Sequence, residues 1–309
     1  MEKMKAVIYK KYGPPEVLHE ATLPIPQPKK SEVQIRVRAT TITAGDYRMR
    51  QGRPFTAKIY NGLLGPRRVQ VLGFELAGEV SALGDEVTRF KIGDRVFAYC
   101  GFGFGAYAQY RCLPDIGNHK IGIVAHMPKK ASFEEAAALP LGAMAPLKQL
   151  EAVNLRKGDR ILINGASGSV GSYALQLAQL RGAEITAVCS QKNFGMVSKL
   201  GATNTIDYHD EDFTQGDARY DVIYDAVGKL ISGISKSQAQ AALADGGRYI
   251  SVEDGYKPEL ADLDQLAEMV DAGQIKPFID RKFGFAEIPE AHQYVESGSK
   301  RGNVTVTVD

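Results

Sequence analysis

The stretch Ile161-Leu-Ile-Asn-Gly-Ala-Ser-Gly-Ser-Val-Gly171 joins an apolar run to a glycine-rich turn, and a helix is predicted to follow over Ser172–Leu180. Its G-x-x-G-x-x-G spacing permits a tight turn, close approach of backbone to a pyrophosphate, and close packing of helix on strand. The helix start offers N–H groups and a positive dipole end to a phosphate. A second strand, predicted at Ala183–Ser190, follows at the distance that a dinucleotide-binding unit requires. We therefore predict a bound dinucleotide. The contacts expected from this turn come from Gly165, Ser167, Gly168, Ser169, Val170 and Gly171.

The composition is that of a globular chain long enough for two domains. Of 309 residues, 44% are hydrophobic and 24% are charged, which argues against a disordered chain. The net charge of +2 and the scattered Lys and Arg residues argue against nucleic-acid binding. No apolar run is long enough to span a bilayer, and the first residues lack the apolar region of a secretory signal. The three cysteines lack C-x-x-C spacing, so a reducing, cytoplasmic location is expected.

The predicted elements divide the chain into three segments. Residues 1–125 are β-rich, with short alternating strands between turns, as is typical of a compact barrel or sandwich. Residues 126–262 alternate strands with helices, which predicts an α/β fold with a parallel sheet covered on both faces. Residues 263–309 return to helix and end in a strand that we expect to rejoin the first segment. The predicted helices cover about 134–139, 145–153, 193–200, 233–244, 263–272 and 288–297.

Short segments in one consistent order carry a resemblance to a known family. They are Met4–Ile8, Gly73–Val80, Phe90–Val96, Gly105–Gln109, Asn164–Gly171, Leu200–Ala202 with Ile206–Tyr208, and Lys300–Val306. The chain resembles the zinc-independent medium-chain dehydrogenases/reductases, within them the quinone oxidoreductase (zeta-crystallin-like) branch. The resemblance implies a GroES-like β-rich substrate domain built from 1–125 and 263–309. It also implies a dinucleotide-binding Rossmann domain, a doubly wound parallel sheet, over 126–262.

The same resemblance argues against a metal centre. Zinc-dependent relatives carry a catalytic Cys and a Gly-His-Glu, but the matching positions here are Ala44–Asp46 and Phe74. The closely spaced cysteines of their structural lobe are absent from this sequence. Asp46 and Glu75 alone would make a poor site, because zinc takes about three protein ligands with N, S or O donors. We predict no bound metal.

Four departures from the branch concern cofactor contacts and assembly. The Asn expected near the nicotinamide is Thr43, the usual Leu-Thr-Ala is Met144–Pro146, and the usual late Lys is Asn303. The predicted cofactor contacts therefore come from the backbone and from other side chains. Between Asp254 and Leu263 the chain is too short for a strand and helix that relatives have. This predicts five main strands in the Rossmann sheet, and a monomer or a differently built dimer.

The residues after the second and third Rossmann strands favour NADPH over NADH. In NAD-specific folds an acid ends the second strand and binds the ribose hydroxyls, but here Ser190 and Lys192 follow it. Tyr208 matches a family Tyr whose hydroxyl reaches the 2′-phosphate. The alternative for Lys192 is a solvated surface lysine. The resemblance adds Val227, facing the nicotinamide, and Ser251 to the cofactor site.

Two side chains are candidates for catalysis. Enoyl-reductase relatives carry a Tyr in the loop after an Arg-x-Gly segment, here Arg50–Gly52, which makes Tyr60 the candidate proton donor. Surface packing is the alternative for Tyr60, and water is the alternative donor. Asp46 is expected to orient a substrate or a neighbouring loop, or else to form an Asx-type turn with Gly45.

The resemblance implies a metal-free, NADPH-dependent oxidoreductase that transfers hydride to a quinone or an α,β-unsaturated carbonyl. In such an enzyme the cofactor supplies the hydride, and the protein orients the substrate and stabilises the developing enolate. Two alternatives stay open: an alcohol or carbonyl dehydrogenase of the same fold, and a non-catalytic NADPH-binding protein. The expected partner is thus a small-molecule quinone or conjugated carbonyl substrate, and neither nucleic acid nor a membrane.

Overall fold

The computed structural model describes residues 2–228 and 236–309, and the chain forms two compact units. The first unit contains Met1–Leu141, Pro258–Asp271 and Ile279–Asp309, and the second contains Gly142–Lys257 and Ala272–Phe278. The glycine-rich turn therefore lies in the second unit. That the first unit binds substrate and the second a dinucleotide stays a prediction.

The strands and helices of the chain have the following bounds. The strands are β1 (Lys3–Ile8), β2 (His19–Pro24), β3 (Glu32–Thr41), β4 (Glu75–Leu83), β5 (Arg95–Tyr99), β6 (Tyr110–Pro114), β7 (Ile123–His126), β8 (Arg160–Asn164), β9 (Glu184–Val188), β10 (Asn204–Ile206), β11 (Tyr220–Asp225), β12 (Leu243–Ser251), β13 (Ile279–Gly284) and β14 (Asn303–Thr307). The helices are α1 (Ala44–Gln51), α2 (Phe55–Asn61), α3 (Phe133–Ala137), α4 (Pro140–Ala152), α5 (Ser169–Leu180), α6 (Phe194–Lys199), α7 (Lys236–Gln240), α8 (Leu260–Asp271) and α9 (Ile288–Glu296).

The second unit is built on a parallel sheet that, within the described residues, has five strands in the order β10-β9-β8-β11-β12. Residues 161–163 of β8 are apolar and fully buried, because a parallel sheet between helices is covered on both faces. The chain runs from β8 to β9 and β10 on one side, then crosses to β11 on the other. Ligands of such sheets bind beyond the carboxyl ends of the strands, where the order reverses. The doubly wound parallel sheet and its five strands agree with the prediction.

The first unit is β-rich, as its alternating segments predict. Its main sheet has the order β13-β14-β3-β4-β5-β7, β6 also pairs with β3, and β1 and β2 form a separate antiparallel pair. Neighbouring strands of the main sheet are antiparallel except β13 and β14, which are parallel. Because β14 pairs with β3, with Thr305 opposite Thr41, the tail rejoins the N-terminal segment as expected.

Two helices lie in the segment that the sequence predicts to be strands and loops. Asp46 lies in α1, and Tyr60 lies in α2 instead of in a loop. Thr43 caps α1 and forms a capping box with Asp46, and this Thr-x-x-Asp pattern is the local signal for the helix. The prediction of a loop at Tyr60 was wrong because α2 has only seven residues and no side-chain cap.

Other differences between the predicted and the observed helices have local causes. Helix α4 begins at Pro140 instead of Ala145, although Gly142 and Pro146 both disfavour a helix. Gly142 is needed for close packing, since a Cβ there would lie 2.6 Å from Ser169 Oγ. The helix predicted over 233–244 begins outside the described residues, and its described part contains α7 and the start of β12. In the described ranges, no helix is long and apolar enough to cross a bilayer.

Candidate functional site

The glycine-rich turn after β8 is closely packed at its first and third glycines. Gly165 has φ +73°, and a Cβ on it would lie 2.4 Å from Val227 Cγ2. A Cβ on Gly171 would lie 2.2 Å from the carbonyl oxygen of Gly165. Neither position has room for a side chain, so the first turn of α5 lies directly against the end of β8.

The second glycine is less closely packed than the other two. Gly168 is the N-cap residue of α5, and a Cβ on it would meet only the Gly165 carbonyl oxygen, at 3.3 Å. Helix α5 is 12 residues long, and the first turn of a helix presents N–H groups and a positive dipole end. Ser169, Val170 and Gly171 form this first turn. The turn thus has the shape and polarity that a pyrophosphate requires.

Asn193 connects the glycine-rich turn to the segment that follows β9. Its Nδ2 donates to Ser167 Oγ and to Ser190 Oγ, each at 3.1 Å. Its Oδ1 is buried and has no hydrogen-bond partner among the described residues. A buried acceptor without a partner is costly, and a ligand hydroxyl would satisfy it. The sequence prediction missed Asn193, although it lies three residues after Ser190.

Lys192 and Tyr208 follow neighbouring parallel strands, and both are exposed. Asp207, which the prediction did not weigh, lies beside them. Its two carboxylate oxygens accept from the backbone N–H of His209 at 2.9 Å and of Gln191 at 2.8 Å. These bonds lower the pKa of Asp207, so it is ionised at neutral pH. Lys192 and Asp207 therefore place opposite charges at this part of the sheet edge.

Asp225 ties together the ends of three strands in the second unit. One oxygen accepts from Asn164 Nδ2 at 3.0 Å and from the Val227 N–H at 3.1 Å, and the other accepts from Tyr249 Oη at 3.1 Å. These bonds hold Val227 beside the glycine-rich turn. Ser251 is fully buried, and its hydroxyl accepts the Glu253 N–H at 3.3 Å. Its side chain thus stabilises the turn after β12.

Asp46 is fully buried in the first unit. It accepts from the backbone N–H and hydroxyl of Thr43 at 2.9 and 2.6 Å, and from the Gly73 N–H at 2.9 Å. Burial raises the pKa of Asp46 to about 6 despite these bonds. In this position the carboxyl group orients the loop at Gly73, one of the roles expected for it.

A buried chain of polar groups leads away from Asp46. Arg50 Nη1 lies 3.1 Å from His292 Nδ1, and His292 Nε2 lies 3.1 Å from Tyr107 Oη. Since an arginine only donates, Nδ1 is the acceptor, and the neutral imidazole carries its proton on Nε2. The Tyr107 hydroxyl can then donate to Asp46. Burial lowers the pKa of His292 to about 3, and Arg50 is fully buried and paired with Glu296.

Glu75 is a second buried acid of the first unit. One oxygen accepts from the Thr41 hydroxyl, and the other accepts from the Leu141 N–H at 2.6 Å. Burial raises the pKa of Glu75 to about 7, and burial also lowers the pKa of Lys300 to about 8. Proton binding near neutrality is the property of a general acid or base. The sequence prediction weighed Glu75 only as a metal ligand, because its burial depends on distant parts of the chain.

Tyr60 packs at the surface of the first unit with its hydroxyl engaged. Its Oη donates to the Phe102 carbonyl oxygen at 2.8 Å, and the two rings are 6.3 Å apart. The Arg68 guanidinium lies over the Tyr60 ring at 4.3 Å. Phe55 and Ile59 of the same helix are exposed. Tyr60 therefore lies in an open, apolar and aromatic surface.

Models of known protein families match most of the chain. The alcohol dehydrogenase GroES-like domain matches residues 29–123, and zinc-binding dehydrogenase models match residues 169–271 and 255–306. The chain is 31% identical to the chloroplastic quinone-oxidoreductase QR1 of Triphysaria versicolor, over 98% of each protein. The chain belongs to the medium-chain dehydrogenase/reductase family. This confirms the predicted resemblance.

Two further proteins are similar to the chain over most of its length. The chloroplastic NADPH-dependent alkenal/one oxidoreductase of Arabidopsis thaliana is 30% identical, over 99% of this chain and 80% of that protein. The structure of a quinone oxidoreductase from Coxiella burnetii matches with a TM-score of 0.85 and 28% identity, and each chain is covered completely.

The residues at the position of the family's zinc site do not fit a metal. The Phe74 ring fills the space beside Gly45, where a Cβ would lie 2.3 Å from it, and it stacks on Tyr99. Asp46 and Glu75 direct their oxygens to N–H and hydroxyl groups. Across residues 2–228 and 236–309, no three His, Cys, Asp or Glu side chains are grouped to hold a metal. Independence of metal stays a prediction.

Proposed function

We propose that the protein is an NADPH-dependent oxidoreductase that reduces quinones or α,β-unsaturated carbonyls by hydride transfer without a metal. The observation that carries the proposal is the carboxyl edge of the second unit's sheet. There, Asn193 joins the glycine-rich turn to Ser190, and its Oδ1 is buried without a partner among the described residues. A helix start that follows Gly168, together with such an acceptor, suits a dinucleotide.

Each part of the cofactor has a candidate partner at this edge. The first turn of α5 would bind the pyrophosphate, and Val227 would contact the nicotinamide. Ser190, Lys192 and Tyr208 would bind the 2′-phosphate, since no acid directly ends β9. The carboxylate of Asp207 opposes this preference, but both of its oxygens already accept backbone N–H groups. We therefore expect NADPH to be favoured.

Side chains of the first unit would bind the hydride acceptor and supply its proton. NADPH supplies the hydride when bound, and the reduced acceptor then needs a proton. Tyr60 is the candidate donor, and to donate it must leave the carbonyl oxygen of Phe102. Asp46 would keep the loop at Gly73 in place. The exposed aromatic surface around Tyr60 suits a planar, apolar acceptor such as a quinone or an enone.

The test is steady-state oxidation of NADPH and NADH by the purified full chain with a panel of quinones, enones and enals. We expect NADPH to be preferred, a saturated ketone as the enone product, and unchanged rates after dialysis against EDTA. An allylic alcohol product would indicate a carbonyl dehydrogenase, and cofactor binding without turnover would indicate a binding protein. Loss of activity on chelation that zinc restores would overturn the metal-free assignment.

The cytoplasmic location and the monomeric or dimeric state also stay predictions. Size-exclusion chromatography with light scattering tests the second of these. A tetramer or a larger assembly would contradict it.

A further inference from the structure

A cavity of about 310 Å³ lies within the first unit, and one of its wall residues, Arg68, lies over the ring of Tyr60. Strands β1 and β2 contribute apolar side chains to its wall, among them Met4, Ile8 and Leu23. Three arginines, Arg67, Arg68 and Arg111, also line it, and none of the described residues in its wall is acidic. We call it the arginine pocket. It combines an apolar wall with a concentrated positive charge.

Arg111 is held in the arginine pocket by two glycines of the Gly101–Gly105 loop. A Cβ on Gly103 would lie 2.7 Å from Arg111 Nη2, and a Cβ on Gly105 would lie 3.0 Å from its Nε. The guanidinium thus occupies the space that side chains at these positions would fill. Gly105 also has φ +101°, which favours glycine there. The glycine-rich loop therefore serves to admit the arginine.

The guanidinium of Arg111 has a buried N–H group that lacks a hydrogen-bond acceptor. Its Nε is buried and has no hydrogen-bond partner among the described residues. An arginine stays ionised at all ordinary pH values, and a buried donor without an acceptor is costly. The missing partner is therefore an acceptor, and an anion would also compensate the charge.

The other two arginines line the same pocket and add positive charge to it. Of these, Arg68 has its guanidinium over the Tyr60 ring at 4.3 Å. Arg67 is exposed at the rim of the arginine pocket. Within the described ranges, none of the three arginines forms an ion pair with a carboxylate of the chain. Three cations that face one cavity without an internal anion repel one another unless a ligand compensates them.

We propose that the arginine pocket binds a small anionic amphiphile, a carboxylate or a phosphate monoester with a short apolar chain or ring. The guanidinium groups match planar carboxylate and phosphate oxygens in bidentate fashion. The apolar wall from β1 and β2 would cover the hydrocarbon part. The volume falls at the small end of the range of ligand pockets, about 300–1,000 Å³. This site would be separate from the one that binds the nicotinamide cofactor.

Isothermal titration calorimetry of the full chain without nicotinamide cofactor tests the proposal. The probes are octyl phosphate and octanoate below their micelle concentrations, with inorganic phosphate and octanol as controls. We expect at least one amphiphilic anion to bind at least about tenfold more tightly than either control. Binding should weaken as salt is added. The two anionic probes distinguish a phosphate from a carboxylate ligand.

Matched variants locate the binding. Arg111→Gln and Arg67→Gln should each weaken the preferred probe by about tenfold or more. Arg281→Gln is the control, because Arg281 also stacks on a tyrosine, Tyr294 at 4.0 Å, but is not part of the pocket wall. Arg67 is exposed, so its variant remains informative if Arg111→Gln fails to fold. Equal affinity for octanol, no binding of either anion, or equal losses from Arg67→Gln and Arg281→Gln would overturn the proposal.

Discussion

The carboxyl edge of the second unit's sheet and the buried acids of the first unit are built in opposite ways. The glycine-rich turn at the edge is made of backbone and small side chains within a short stretch of chain, and Gly168 is its least crowded glycine. Asp46 and Glu75 are closed in, and each is bonded to residues far along the chain, such as Gly73 and Leu141. The edge thus suits a charged ligand, whereas the acids are removed from water.

This difference has an electrostatic consequence. At the edge, Asp207 is ionised because backbone N–H groups lower its pKa. In the first unit, burial outweighs similar hydrogen bonds and raises the pKa of Asp46 and Glu75. The same functional group is therefore a fixed charge in one region and a titrating group in the other. Four variants test this comparison, from the largest expected effect to the smallest.

Arg50→Met should give the largest loss of stability. Arg50 is fully buried among Gly13, His292 and Glu296, so its removal leaves several polar partners unsatisfied. We expect the free energy of unfolding to fall by about 3–5 kcal/mol. Arg38→Met is the control, because the Arg38–Glu79 pair is about one-third exposed and should cost about 1 kcal/mol or less. Urea unfolding measures both, and equal losses would show that burial adds nothing to this network.

Gly171→Ala should be the next most damaging change, because the backbone at Gly165 cannot move away from a methyl group. We expect a loss of about 2–3 kcal/mol and weaker binding of NADPH. Gly195→Ala, in α6 of the same unit, is the control. A Cβ there would meet nothing within 4 Å, and alanine should stabilise the helix by up to about 1 kcal/mol. Tight NADPH binding by Gly171→Ala would show that the close packing is dispensable.

Glu75→Gln tests the titration of the first unit. The pKa of Glu75 rises from 4.5 to about 7 on folding, so the native state keeps the proton that the unfolded state has lost. The stability contributed by Glu75 is therefore complete below about pH 4.5 and is lost as the pH rises through about 7. We expect the wild type to lose up to about 3 kcal/mol relative to the variant over this window.

The measurement for Glu75 is urea unfolding of both proteins at several pH values. Glu268→Gln, an exposed acid on α8, is the control for the removal of a surface carboxylate. A difference between Glu75→Gln and the wild type that does not change with pH would mean that Glu75 keeps an ordinary pKa in the folded protein.

Lys192→Ala should have the smallest effect, because Lys192 is exposed. We expect KM for NADPH to rise by about tenfold, which corresponds to about 1.4 kcal/mol, while KM for NADH hardly changes. Lys199→Ala, another exposed lysine nearby, is the control for a general loss of positive charge. Equal effects of the two variants, or equal use of both cofactors by the wild type, would refute the role of Lys192.

Much of the fold was predictable because its signals are local. The glycine-rich turn, the parallel sheet and the returning tail all follow from periodicity and turn residues. The short helix α2 was not predictable, because it has no capping side chain and its residues are held by tertiary contacts such as that of Tyr60 with Phe102. Helix α1 had a local signal in Thr43 and Asp46, and the prediction overlooked it.

By itself, the sequence determined the glycine-rich turn that we propose as a dinucleotide site, since the spacing of Gly165, Gly168 and Gly171 sets local backbone geometry. Only the tertiary structure decided which polar side chains titrate near neutrality and which are candidates to bind a ligand. Glu75 becomes a group that titrates near neutrality because distant segments remove it from water. Arg111 becomes a candidate anion-binding residue because two glycines of another loop leave space for its side chain. Desolvation and cavity shape depend on everything that surrounds a residue, and no short stretch of sequence contains that information.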